Sequence, residues 1–496
     1  MTFQQTPTSA FPALYTPEES PFVLEVLPAL KHGSDKQQQV ILDLHREMCL
    51  EKQALLAVIA SFRNEMQEGL VNDRGSDLNM IPSYVTGYPT GNEKGTYLAL
   101  EIAGMDVYVC QVKLKGENGK LAINQYQYKI PQDLTTDSDF GVLIEYVADC
   151  LADFLLRIGT QEHFIYPTAI SFGFAIKQTG LSSGRIMSLG HGFSYPNGVG
   201  VDIVQLMHEK INDKQLPIKI VAIANDTVCT LLAHAYQHPA TRLGIVHNLG
   251  TNCAYYDCIG NVKKLRHLSF PQDHDMIINT EWCNFGSSHR TLPRTWFDRK
   301  LDRESINPQF HVFEKMTTGV FLGELVRNIL IYLVDQDLLF GGESSEILNV
   351  SHSFDTSYMY VCEGDQTDNL DDTRIVLEDM LNLSRTTVAD REIVKKVCEL
   401  VGSRAAVLMG AAIAAVVLHM VDHGVATSPD QPGYTISISG SIYEDYPSFH
   451  PRVCKTLKAL LPPSIASTLS VGIVKHSRIV GAAIVAMMAE KITNQT

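Results

Sequence analysis

The stretch LALEIAGMDVYVCQV, residues 98–112, decides the fold. It alternates like a buried strand, turns at Ala103-Gly104, and runs on as a second strand. A glycine turn between two strands can hold phosphate on its backbone N–H groups. Met105, however, is bulky, and Asp106 is negative. The stretch reads as either a phosphate loop or the remains of one.

A second stretch, LGIVHNLGTNCAYYD at 243–257, has the same strand, glycine turn and strand. Around the two hairpins, strand and helix patterns alternate, which predicts two α/β lobes, each opening with a hairpin. Before the first hairpin, residues 36–69 read as one or two amphipathic helices, and 80–95 as a Gly/Pro-punctuated approach. After it, FGVLIEYVADCLADFLLRIG reads as a helix, YPTAISFGFAI (166–176) as a strand and VDIVQLMHEKIND as a helix. IKIVAIANDTVCTLLAHAY passes from a buried strand into a helix through Asn225-Asp226-Thr227. Residues 310–337 and 391–422 read as helical, and 344–369 as a mixed polar excursion. YTISISGSIYEDYP reads as a strand entering a turn. The chain ends on a Gly-Ala-rich helix.

The bulk numbers narrow the class. A chain of 496 residues has room for two or more domains and a large core. A formal charge of −15, from 40 basic and 55 acidic side chains, argues against nucleic acid or an anionic membrane as the main partner. The ten cysteines are scattered without a CxxC pair, as expected of reduced thiols in a cytoplasmic protein. Cys253 and Cys258 are five apart, but no second pair completes a zinc site, so no structural metal is expected. The N-terminus lacks the basic and apolar regions of a signal peptide. AAVLMGAAIAAVVLHMV, 405–421, is shorter than a spanning helix of about 20 residues and reads as a core helix, so no membrane insertion is expected.

Chemistry is placed by polar residues at element ends. Asp226 stands where a buried strand meets a helix, as either a helix cap or a general base. Asn279 and Glu281 in MIINTEWCNF, and Glu314 in VFEKMTTGVFLGE, would matter together. Carboxylates and amides converging on a cleft suit a polyhydroxylated sugar, because each hydroxyl both donates and accepts.

Ordered stretches then carry a resemblance to the hexokinase family of the fungal type, from about 37 to 490. They are YPTGNEKGTYLALEIAG, IANDTVCTL, GIVHNLGTNCAYYD, INTEWCNFG, LPRTWFDRKLDRESINP, FEKMTTGVFLGELVRNIL, FDTSYM, VCELVGSRAA and GSIYEDYPSFHPRV. The resemblance implies a two-lobed, actin-like ATPase fold with a cleft between a small and a large domain. It implies a small domain at 86–227, completed by 481–496, and a large domain at 228–480 with N-terminal helices at 36–85, after a flexible segment at 1–35. Closure of such lobes excludes water, so a phosphoryl group goes to sugar.

Carried over residue by residue, the general base matches Asp226, which would take the proton of the sugar 6-hydroxyl. The sugar-binding positions match Asn225, Asp226, Asn252, Glu281 and Glu314. Elsewhere the pattern is altered. The family's Thr-Lys-Gly-Phe reads Gly190-His191-Gly192-Phe193, without the hydroxyl and the ammonium. The preceding sugar loop reads Phe172-Gly173-Phe174-Ala175-Ile176-Lys177-Gln178 where the family has Phe-Ser-Tyr-Pro-Ala-Ser-Gln. The family's Asp-Leu-Gly-Gly-Thr-Asn-Leu-Arg reads Glu101-Ile102-Ala103-Gly104-Met105-Asp106-Val107-Tyr108. A carboxylate about 5 Å from a phosphate charge costs roughly 3 kcal/mol at an effective dielectric of 20. The second phosphate turn, Gly-Thr-Gly in the family, reads Asn248-Leu249-Gly250. The nucleotide loop keeps Gly440-Ser441 but has Ser439 for its usual acid, and Gly319 falls with the same group. The family's Asp-Gly-Ser-Gly reads His476-Ser477-Arg478-Ile479.

The sugar floor is thus kept and the nucleotide-phosphate positions Gly104, Met105, Asp106, Asn248, Leu249, Gly250, Gly319, Gly440 and Ser441 read as degenerate. The resemblance extends to the catalytically degenerate hexokinase-like proteins of filamentous fungi. It implies a hexose-binding regulator of carbon metabolism and extracellular protease production, acting with regulatory proteins. An active ATP-dependent hexose or N-acetylglucosamine kinase, with Mg·ATP as cofactor and a hexose or N-acetylhexosamine as substrate, is the alternative. A scaffold that binds no sugar is the third.

Overall fold

A computed structural model describes residues 29–137, 139–160, 163–173, 176–187, 189, 193–268, 270–288, 291–428, 432–446, 448–475 and 477–495. The described chain opens with helices α1 (Asp35–Met48) and α2 (Lys52–Val71) and strand β1 (Ile81–Thr86). The first hairpin is β2 (Lys94–Ala103) and β3 (Asp106–Gly116), extended by β4 (Lys120–Lys129). Then come α3 (Phe140–Ile158), β5 (Tyr166–Phe172), the ribbon of β6 (Ile176–Gly180) and β7 (Ser183–Ile186), and α4 (Ile203–Asp213). Strand β8 (Ile218–Ala224) feeds α5 (Asp226–Ala235). The second hairpin is β9 (Thr241–His247) and β10 (Thr251–Cys258), followed by β11 (Asp275–Asn279). A helical run follows: α6 (Trp296–Glu304), α7 (Val312–Thr317), α8 (Gly319–Asp335), α9 (Thr356–Gly364), α10 (Asp371–Arg374) and α11 (Val388–Asp422). The chain closes with β12 (Thr435–Ser439), α12 (Ser441–Asp445), α13 (Phe449–Leu460), α14 (Pro463–Ala466), β13 (Ser470–Ile473) and α15 (Ser477–Gln495).

The two larger sheets repeat one topology. One runs β4-β3-β2-β5-β8, the other β11-β10-β9-β12-β13, with β1 added at the β11 edge. In each, an antiparallel meander is followed by two parallel strands. Parallel neighbours need crossovers, which α3, α4 and the long helical run supply. The helix after each last strand packs on the other half: α5 against β9, and α15 against β2. A Cβ on Gly481 would stand 1.9 Å from the Cys229 carbonyl oxygen, so α5 and α15 touch backbone to backbone there.

Local chemistry starts the helices where the sequence signals it. Ser34 and Gln37 form a capping box on α1, Thr295 and Asp298 on α6, Thr387 and Asp390 on α11. The Asp298 carboxylate, itself buried, takes a second role. Arg404 on α11, with none of its side chain exposed, reaches it by two hydrogen bonds of 2.6 and 2.7 Å. The 405–421 stretch lies inside α11 as expected. By length and composition α11 could cross a membrane, yet 83% of its most apolar window is buried within the protein.

The 310–337 stretch is helical as expected, with a break between α7 and α8 where Thr318 turns extended and Gly319 takes φ +24°. The break lets Gly319 sit on the second hairpin, where a Cβ would be 2.8 Å from Leu249 Cα. Three readings from the sequence are corrected. The 344–369 excursion contains α9. The strand β12 enters a helical turn, α12, through Gly440. The 166–176 strand is β5 up to Phe172, and β6 begins at Ile176; Phe174 and Ala175 lie outside the described residues.

Candidate functional site

The candidate polar floor forms where β8, β10 and β11 meet their turns. Asn225 is the N-cap of α5, and its Oδ1 accepts the Thr227 amide at 2.9 Å. The capping role left open for Asp226 therefore falls to Asn225, and Asp226 begins the helix. Asn252, second residue of β10, donates from Nδ2 to Asn279 Oδ1 at 2.8 Å and to Glu281 Oε1 at 3.0 Å. The same nitrogen stands 3.5 Å from Asn225 Oδ1. Asn279 Nδ2 donates to Glu281 Oε1 at 2.7 Å. Asn252 Oδ1 accepts the Cys253 amide at 2.7 Å, which fixes the amide orientation.

Glu281 sits in the left-handed region at φ +53°. For a non-glycine residue this costs on the order of 1 kcal/mol, and such strain gathers at functional sites. His311 has the same backbone, and its Nδ1 lies 3.4 Å from Glu314 Oε1. Glu314 Oε2 accepts the Thr251 amide at 3.0 Å. A Cβ on Gly250 would stand 2.7 Å from that oxygen, so a side chain there would have to displace the Glu314 carboxylate. Glu314 is thereby tied to the second hairpin, one residue before Asn252.

Electrostatics links the floor to the first hairpin. Burial raises the Glu281 carboxyl above its usual range, and the Asp226 charge adds to this. Burial pushes the Glu101 carboxyl up to about 7, with Asp226 and Asp106 adding and Arg478 opposing. Asp226 therefore acts on both Glu281 and Glu101. The hydrogen bond to Glu314 raises His311, against burial.

The residues expected at the nucleotide phosphates lie at and beside the two hairpin turns. Gly104 has φ +54°, and a Cβ there would meet open space. Met105 packs against the core of the β2–β8 sheet. Asp106 is offset by neighbours, accepting from Gln127 Nε2 at 2.7 Å and Lys129 Nζ at 3.0 Å. At the second turn Ser441 Oγ donates to Asn248 Oδ1 at 2.7 Å, Gly319 lies on Leu249, and Leu249 itself is 58% exposed. Gly440 packs on His247, where a Cβ would be 2.0 Å from the carbonyl oxygen.

Asn279, read from the sequence together with Glu281 and Glu314, is the partner shared by Asn252 and Glu281. His311 and Arg478 were not read as site residues, and nothing in their local sequence marks them as such. Arg478, at the start of α15, brings Nε to 2.9 Å from Glu101 Oε1, an ion pair between α15 and β2. Gly190 and His191 lie outside the described residues, as does His476.

Comparison with known proteins places this geometry. Family models described as hexokinase match residues 40–236 and 242–488. The chain is 31% identical over 469 residues to Hexokinase-1 of Schizosaccharomyces pombe, covering 94% of each. It is 33% identical over 478 residues to Hexokinase-1 of Saccharomyces cerevisiae, covering 94% of this chain and 96% of that one. A hexokinase from Schistosoma mansoni, solved with glucose, superposes with a TM-score of 0.80 at 31% identity, over 92% of this chain and 99% of that one. The fold is accordingly the two-lobed, actin-like one that the sequence motifs lead one to expect. The chain belongs to the hexokinase family.

Proposed function

We propose that this chain is a hexose-binding member of its family with little or no phosphoryl transfer, acting in the cytoplasm as a regulator of carbon metabolism and extracellular protease production through protein partners. The single observation that carries the reading is a contrast. The amide and carboxylate network of Asn225, Asn252, Asn279 and Glu281 is connected throughout. On the phosphate side, a buried carboxylate, Glu101, is held by Arg478. The small lobe in this reading comprises 86–227 with 481–496, and the large lobe 228–480 with the helices of 36–85.

The floor residues suit a hexose. Asn252 and Asn279 present both donors and acceptors, and Glu281 and Glu314 accept from hydroxyls. Asp226 stands at the strand end where the sugar 6-hydroxyl would lie. Mg·ATP, the family's cofactor, is a poor fit to the phosphate side as it stands. A metal-bound triphosphate is usually held through carboxylates that stay anionic and face the metal or its waters. Here Glu101 faces a guanidinium, and burial favours its proton. No phosphoryl-transfer step is therefore derived.

A second reading, an active hexose or N-acetylglucosamine kinase, draws on Asp226 alone. Its charge adds to the burial that raises the Glu281 carboxyl. Relatives named hexokinase and glucokinase keep this reading in view.

The test is thermal unfolding with glucose, fructose, mannose and N-acetylglucosamine, in wild type and Asn252→Ala. The expected result is stabilisation by at least one sugar, rising with concentration, and lost in the variant. Stabilisation by no sugar would reject the floor as a binding site and leave the scaffold reading.

A further inference from the structure

A separate cluster lies at the opposite end of β10 from Asn252, roughly 17 Å along the strand at about 3.4 Å per residue. Asp257 is the carboxylate there. His419 and His423 face it from α11, four residues apart and so on one side of the helix. Candidate ligand atoms from all three residues lie within 4.8 Å of one another. His423 Nδ1 is 3.0 Å from each Asp257 oxygen, and His419 Nε2 is 3.3 Å from Oδ2. Ligands held about 2.0–2.1 Å from a tetrahedral zinc ion stand about 3.3 Å apart. The cluster has the size of a coordination shell.

Its surroundings orient the ligands. Tyr255 Oη donates to Asp257 Oδ2 at 2.6 Å, and Asn261 Nδ2 donates to Oδ1 at 2.9 Å. The other contacts of the two carboxylate oxygens are to the histidine nitrogens themselves, so an ion between them would take the place of those contacts. Tyr255 Oη also lies 3.1 Å from His419 Nε2. Supporting hydrogen bonds to a ligating carboxylate are what fix a metal site. His423 stands at the C-terminal cap of α11 with 14% of its side chain exposed, which leaves an approach from solvent. The nearby cation, Arg63 on α2, is paired with Asp422 and does not present an uncompensated charge.

We propose that Asp257, His419 and His423 bind a divalent transition-metal ion of the zinc class, with water in the fourth position, and that the ion ties the end of α11 to β10. Two imidazoles and one carboxylate match zinc better than magnesium or calcium, which favour all-oxygen shells. The site owes nothing to the sugar floor or to the reading of function above. It departs from the expectation of no structural metal because Asp257 and the helix histidines are far apart in sequence and form no contiguous motif.

The experiment uses full-length protein, freed of metal by chelator and titrated with Co²⁺. The expected result is one equivalent bound, seen as visible d–d absorption without a thiolate charge-transfer band, and displaced by Zn²⁺. His423→Gln should bind at least about 10-fold more weakly. Asn261→Ala, which touches the site through Asp257, should weaken binding by roughly 10-fold while leaving the ligands in place. His311→Gln tests the other cluster of possible ligands, Cys283, His311 and Glu314, and should leave the signal unchanged. Zn²⁺ should raise the unfolding temperature of wild type and not of His423→Gln. Absence of a visible band in excess Co²⁺, a thiolate band, or a band lost with His311→Gln but kept in both His423→Gln and Asn261→Ala would overturn the proposal.

Discussion

Glu101 is the residue on which the proposed loss of phosphoryl transfer turns. It is a carboxylate on a central strand, buried, with Arg478 as its counter-charge. Its pKa moves from the usual 4.5 to about 7, first through burial. Between those values the folded chain holds a proton that the unfolded chain has released. Stability therefore falls as pH rises through that window, by at most about 1.4 kcal/mol per pH unit. Glu101→Gln removes the titration. Its melting temperature relative to wild type should rise between about pH 5 and pH 8. A gap that stays constant with pH would mean that Glu101 is not raised. Single residues were legible in the sequence only in part. The floor residues could be named from their motifs, but the charge balance at Asp106 could not. Lys129 and Gln127 lie on β4, and only strand pairing brings them to Asp106.

At the scale of elements, α5 and α15 cross backbone to backbone. Gly481 meets the Cys229 backbone, with no room for a methyl group. Gly481→Ala must push the helices apart. A loss of about 1–3 kcal/mol is expected, as for overpacking elsewhere. Denaturant unfolding measures it; a variant as stable as wild type would show that the helices can separate freely. The sequence made the glycine hairpins and α11 readable, because period and punctuation are local signals. It missed the break at Gly319 because α7 and α8 are apolar on both sides of it. The break comes from contact with Leu249 in a different element.

The whole molecule repeats a meander followed by two parallel strands, and each half is completed by a helix from the other. No short sequence repeat reveals this. Only the paired hairpins at 98–112 and 243–257 hint at it, since a shared topology constrains strand order and not side chains. Candidate sugar residues come from the second half and from the start of α5; Glu101 comes from the first half, and Arg478 begins the helix that completes it. In the proposed function this arrangement acts as a unit, with a connected amide and carboxylate floor for the sugar and the buried Glu101 paired with Arg478 on the side where phosphate would bind. The measurement that tests it most directly is ADP release by purified protein with Mg·ATP and glucose, fructose, mannose or N-acetylglucosamine, beside the Asp226→Asn variant. The account predicts no sugar-dependent release above that of the variant. Sugar-dependent release by wild type that disappears in Asp226→Asn would contradict it, and would make the chain a working sugar kinase.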